Sequence, residues 1–133
     1  MRSRTRLKER GREMFQASNA YQVYQNNHVN TSSKGKLLLM LYDGALKFLR
    51  FAVTAMEEKN IEGANRYLLK TQNILHELMS TLDFNIDLSE QLYSLYDYMN
   101  QELVNANIAK DPLRVKTVYS MLEELRETWA KII

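Results

Sequence analysis

The chain has 133 residues, with four glycines, one proline, no cysteine and a formal charge of +2. That length fits one domain with a modest core; so few turn-forming residues exclude a many-stranded sheet, and the missing thiols exclude a disulfide framework and a thiolate metal site. The longest unbroken apolar run, Leu37 to Tyr42, falls far short of the roughly 20 residues of a membrane-spanning helix, and no hydrophobic signal region opens the chain, so a cytoplasmic protein without membrane insertion is expected.

Residues 1–13 hold six basic side chains (Arg2, Arg4, Arg6, Lys8, Arg10, Arg12) against Glu9 and Glu13, a local charge of +4 that leaves the rest at −2. A slightly acidic body offers no electrostatic footprint for nucleic acid, and a nucleic-acid reading rests on this leader alone. Met14 stands where an ordinary start would, so residues 1–13 are expected to lie outside the fold as an upstream extension. From 14 to 33 amide side chains (Gln16, Asn19, Gln22, Gln25, Asn26, Asn27, Asn30) dominate without sustained periodicity. This stretch is not expected to hold as a helix by itself. Its anchors Phe15, Tyr21, Tyr24 and Val29 hold it only by lying on a neighbouring surface. The expectation is a detachable cap segment over 14–33 and a helical bundle over 34–133.

Between Leu37 and Met56, 15 of 20 positions are apolar or aromatic, and apart from Gly44 the exceptions Asp43, Lys47, Arg50 and Thr54 fall four, three and four apart. A helix with one thin polar stripe is buried on most sides or lends an apolar side to a partner. Ser32 or Ser33 can cap its start, and it should end near Lys59. A second helix is expected after Asn60 as cap, with Ile61, Ala64, Leu68, Leu75, Leu78 and Leu82 on a core-facing seam. Asp87 and Glu90 have capping-box spacing and open a third helix seamed by Leu88, Leu92, Leu95, Met99, Leu103 and Ala106. Asp111 before Pro112 suits a fourth opening, because proline at the first helical position gives up only an N–H that lacks a partner there; Val115, Val118, Leu122, Leu125, Trp129 and Ile132 follow. Links of a few residues make consecutive helices turn back on one another. The fold class is therefore all-α: an antiparallel up-down four-helix bundle with an N-terminal cap segment. A short echo between Leu41-Tyr42-Asp43 and Leu95-Tyr96-Asp97 is not a repeat and is given no weight.

Catalytic chemistry has no motif to stand on. A di-metal site in such a bundle needs Glu-x-x-His pairs, but Gln25 stands three before His28 and Asn73 three before His76, and His76-Glu77 lacks the second histidine of a zinc-protease helix. Phosphate-cradling glycine loops and the nucleophile elbow do not occur. His76 and the carboxylates from Glu123 to Glu127 read as surface groups. The expectation is a binding protein, not an enzyme, with no metal and no cofactor.

What remains is an apolar surplus. Eight tyrosines, one tryptophan, four phenylalanines and the first helix exceed what four simple seams use. Leu38, Tyr42, Leu46, Leu49 and Val53 form one stripe, and Leu37, Leu41, Phe48, Ala52 and Met56 another. One stripe can serve the core and the other a partner groove, or the helix is central and its neighbours bury both. Periodicity leaves the choice open.

Asn19-Ala20-Tyr21, Val29-Asn30-Thr31 and Leu39-Met40-Leu41-Tyr42-Asp43-Gly44, in that order, resemble the flagellar secretion chaperone FliS family. So do Asn73-Ile74, Leu95-Tyr96-Asp97-Tyr98-Met99, Leu103-Val104-Asn105-Ala106-Asn107 and Trp129, so the resemblance spans 19–130. It departs at Ser33-Lys34-Gly35-Lys36, where a more acidic or proline-containing helix start is expected. The resemblance implies a cytoplasmic chaperone that binds the disordered C-terminal segment of flagellin, prevents premature polymerisation and delivers it to a component of the flagellar type III export apparatus. No nucleic acid and no membrane insertion are expected from the charge balance and the short apolar run, and a monomer or weak homodimer is expected. On the chaperone reading Tyr21, Tyr24 and Val29 are cap anchors that move on binding, and Leu38, Tyr42, Leu46, Leu49 and Val53 are groove candidates. The rival is a structural helical adaptor that self-associates through the same stripe and has no unfolded client.

Overall fold

The apolar block from Leu37 to Met56 forms the body of the longest helix, and three shorter amphipathic helices complete the bundle. The computed structural model describes residues 27–133, with side chains from residue 33 onward. Helix α1 spans Asn27–Glu57, α2 Ile61–Ser80, α3 Leu88–Ala109 and α4 Pro112–Ile132. Among the described residues there is no strand. α1 starts well upstream of Ser32 and Ser33, which lie inside the helix rather than at its cap. Once the apolar block has nucleated a helix, each further residue costs little, so the amide-rich stretch before it is drawn in from Asn27.

Two of the four expected caps are present. Asn60 Oδ1 accepts from the Gly63 amide at 2.9 Å, and its side chain fills the space where a Cβ on Gly63 would lie. Asp111 Oδ1 accepts from the Leu113 amide at 3.0 Å, with Pro112 in the first turn. The Asp87–Glu90 capping box does not form. Asp87 is already helical, at φ −55° and ψ −38°, and its side chain makes no cap bond. Instead Ser89 Oγ donates to the Asp83 carbonyl at 2.6 Å and Asp83 Oδ1 accepts from the Asn85 amide at 3.0 Å, so the α2–α3 link holds itself together. α1 ends with Lys59 in the left-handed region, at φ 60°, and the amides of Lys59 and Asn60 reach back to the carbonyls of Met56 and Ala55, a common way to satisfy the last turn.

α1 packs against α2 and α4, and α3 packs against the same two, which closes a square. Leu38 near the start of α1, Leu82 after α2, Leu92 early in α3 and Trp129 late in α4 meet at one end. Met56, Ile61 and Lys110 meet at the other. The helices therefore run alternately up and down. The core holds Tyr42, Leu49, Leu68, Leu75, Leu78, Tyr96, Met99, Leu103, Val115, Val118 and Leu122, all but sealed from solvent. Each large aliphatic side chain so buried contributes about 1.5–3 kcal/mol. The seams fray at their tips: Ile61, Leu88 and Ile132 are exposed.

Candidate functional site

The end where the chain passes from α2 to α3 carries a groove of about 220 Å³. Leu38 of α1, Leu82 and Ile86 of the link, Leu92 and Tyr96 of α3 and Trp129 of α4 line it. Its rim is apolar and accessible, with Ile86 56% and Leu88 51% exposed. Phe84, also exposed, meets Tyr93 edge to face at 5.8 Å between ring centroids. A broader depression of about 690 Å³ lies along α3 at Phe84, Tyr93, Leu95 and Tyr98. Apolar side chains grouped this way, rather than scattered singly, mark a surface that receives another apolar body.

The floor of the groove is a hydroxyl network that joins three helices. The Tyr42 and Tyr96 hydroxyls lie 2.6 Å apart, and Trp129 Nε1 donates to the Tyr42 hydroxyl at 3.1 Å. Burial pushes the Tyr42 phenol above its ordinary value against the opposing pull of its bonds to Tyr96 and Trp129. Burial pushes Tyr96 higher still, reinforced by Tyr42. Both phenols therefore stay protonated through the physiological range, and the network is neutral. It positions side chains and offers no acid or base for proton transfer.

Two further contacts fix α4 on α1 beside this floor. Arg126 grips both carboxylate oxygens of Asp43, a bidentate geometry that sets direction as well as attraction, and the carboxylate in turn raises the guanidinium pKa. Arg50 donates to the Tyr119 hydroxyl at 3.1 Å. Gly35 lets the C-terminus of α4 lie against α1, because a Cβ there would collide with Ile133.

Of the stripe read as groove candidates, Leu38 lines the groove. Tyr42, Leu46 and Leu49 are buried in the core, and Val53 packs half-buried against it. The reason is that α1 has α2 on one flank and α4 on the other, so its second stripe is covered as well; an acidic side chain at Tyr42 or Leu46 would break the core rather than probe a groove. Tyr21 and Tyr24 lie outside the described residues, and Val29 falls in the first turns of α1, with its side chain outside them. Tyr96, Ile86 and Leu88 line or rim the groove without having been singled out for it in the sequence. The echo of Leu41-Tyr42-Asp43 in Leu95-Tyr96-Asp97 held the signal for Tyr96, since its two tyrosines are the hydrogen-bonded pair. Among the described residues no helix is long and apolar enough to cross a membrane, and no group of three His, Asp or Glu side chains is placed to hold a metal.

The family model described as flagellar protein FliS matches residues 17–133. A flagellar secretion chaperone FliS of Bacillus subtilis is 44% identical over 115 residues, which cover 86% of each chain. The chaperone of the same name from Campylobacter jejuni is 31% identical over 85% of this chain and 90% of its own, and that of Escherichia coli K12 is 31% identical over 81% and 82%.

Proposed function

The chain belongs to the FliS family of flagellar chaperones, a class of binding proteins rather than enzymes, and from that membership we propose that it captures the disordered C-terminal segment of flagellin in the end groove. In the cytoplasm it keeps the subunit from polymerising and hands it to a component of the flagellar export apparatus. The observation that carries this reading is the apolar groove between Leu38, Leu92 and Trp129 with its exposed rim at Ile86 and Leu88. A flagellin segment folds its apolar face onto that rim, and the area it covers offsets the entropy of ordering the segment. Leu38 is a wall of the groove, and Tyr42 holds Trp129 and Tyr96 in place beneath the bound segment. Leu46, Leu49 and Val53 act from below as the packed support of that floor. Tyr21, Tyr24 and Val29 are the apolar anchors of a covering segment that the client displaces.

Isothermal titration of the chain with a synthetic peptide covering the flagellin C-terminal segment tests this. One-to-one binding with a negative heat-capacity change is expected, the mark of apolar burial coupled to folding. No heat, together with no complex by gel filtration, overturns it. Concentration-dependent sedimentation of the chain alone, with no peptide bound, would instead support the self-associating adaptor.

A further inference from the structure

The outer face shared by α1 and α2 carries a second surface of different chemistry. Phe48 and Tyr67 stack at 6.1 Å between centroids, and Phe51 meets Tyr67 edge-on at 5.2 Å, so the three rings brace one another. Three cations rest on them: the Lys47 and Lys70 ammoniums at 5.3 and 5.6 Å from the Phe48 centroid, and the Arg66 guanidinium at 5.1 Å from that of Tyr67. All three cationic side chains are exposed. Among the described residues none of them forms an ion pair; the pairs of Asp43 with Arg126, and of Glu102 and Asp111 with Arg114, lie elsewhere. Phe51 is 43% exposed within the same patch.

A cation over a ring gains about 0.5–1 kcal/mol at an exposed site. That contact steadies the ammonium without neutralising it. Two like charges that share the Phe48 ring also repel each other, and an anion between them relieves the repulsion while it gains charge-assisted hydrogen bonds. An apolar side chain next to that anion covers Phe51. Phosphate could meet the same charges, but nucleic acid draws its affinity from neutralising many phosphates, and three cations are few for that, whereas one or two carboxylates beside an apolar side chain match three cations beside Phe51. We propose that this cationic aromatic ledge docks an acidic polypeptide segment of a partner protein, one that sets an aromatic or aliphatic side chain beside its carboxylates. The ledge is separate from the end groove, so client and docking partner can be held at once, and the inference does not rest on the identity of the client.

The test is calorimetric titration of the full chain with a synthetic peptide of alternating Glu, Asp and Phe, beside its Gln and Asn counterpart. The acidic peptide is expected to bind at least about tenfold more tightly than the neutral one, and added salt should weaken it. Lys47→Glu combined with Lys70→Glu should abolish that binding with unchanged helical circular dichroism and unchanged flagellin-peptide affinity. Lys47→Gln with Lys70→Gln makes the same point by neutralisation if charge reversal disturbs the fold. Equal binding of the two peptides, or acidic-peptide affinity untouched in the variants, overturns the proposal. Preferential binding of polyuridylate over the acidic peptide overturns it too and reassigns the ledge to nucleic acid.

Discussion

Where α1 turns into α2 and α3 into α4, polar side chains lock the backbone; where α2 turns into α3, apolar side chains crowd a longer link and leave a groove open. At the locked end Asn60 and Asp111 cap their helices. The Lys110 ammonium there spends its three donors on Asn65 Oδ1 at 3.0 Å and on the Asn107 carbonyl and Oδ1, both at 2.7 Å. At the open end Phe84, Ile86 and Leu88 stand in solvent around Leu38, Tyr96 and Trp129. Both ends expose aliphatic side chains, Ile61, Ile108 and Leu113 at the locked one. The aromatic floor and the self-held link belong to the open end alone. One end is fixed by helix caps and the other by bonds within its own link, which leaves the apolar rim of that link free to face solvent.

Four substitutions break or sharpen that contrast, and the largest effect is expected at the boundary between core and groove. Tyr96→Ala removes a buried ring that serves both, and should cost about 3–5 kcal/mol in urea unfolding while it abolishes flagellin-peptide binding; a mild loss would mean that the open end contributes little to stability. Tyr42→Phe leaves the Trp129 N–H and the Tyr96 hydroxyl short of a partner and should cost about 1–2 kcal/mol. The same network predicts an alkaline limit. Both phenols have folded-state pKa values raised above the ordinary phenol value of 10.0, so their contribution is fully present below that value and is lost as pH rises through the raised values. Urea midpoints should fall above pH 10.0, less steeply in Tyr42→Phe, and equal slopes in the two proteins would contradict the assignment. Asn60→Ala, at the locked end, should cost about 1 kcal/mol and leave peptide affinity alone. Ile86→Ser should change stability by no more than about 0.5 kcal/mol yet weaken the peptide about tenfold; the reverse pattern in these last two would exchange the roles of the ends.

Helix number, order and most boundaries were legible because they follow from local chemistry. Asn60 and the Asp111-Pro112 pair announce helix starts with their own side chains, and the seams of α2, α3 and α4 place Leu68, Leu75, Met99, Leu103, Val118 and Leu122 in the core where they are found. The start of α1 was not legible, because propagation from an apolar block leaves no cap signature in the amide-rich residues it recruits. The Asp87–Glu90 spacing misled, because a capping box needs its first residue outside the helical region and the Ser89–Asp83 bond already closes that turn. The groove was only half legible. An apolar surplus shows that surface exists to be covered, but whether the α1 stripes are covered within the bundle or left open depends on the positions of α2 and α4, and no single-helix period contains that information. The groove rim sits instead on the α2–α3 link, where Ile86 has no helical periodicity to mark it.

Trp129 is the only tryptophan in the chain, and it stands half-buried in the groove wall with its indole N–H on Tyr42. The protein therefore carries an optical reporter at the place where its occupant is proposed to lie. With excitation at the red edge of the absorption band, emission comes from that one indole. Its wavelength registers whether water or an apolar side chain lies against the ring, and loss of the Tyr42 contact registers separately as a change in yield. Occupancy of the groove, its kinetics and the integrity of its floor can all be followed in unlabelled protein, from a single side chain.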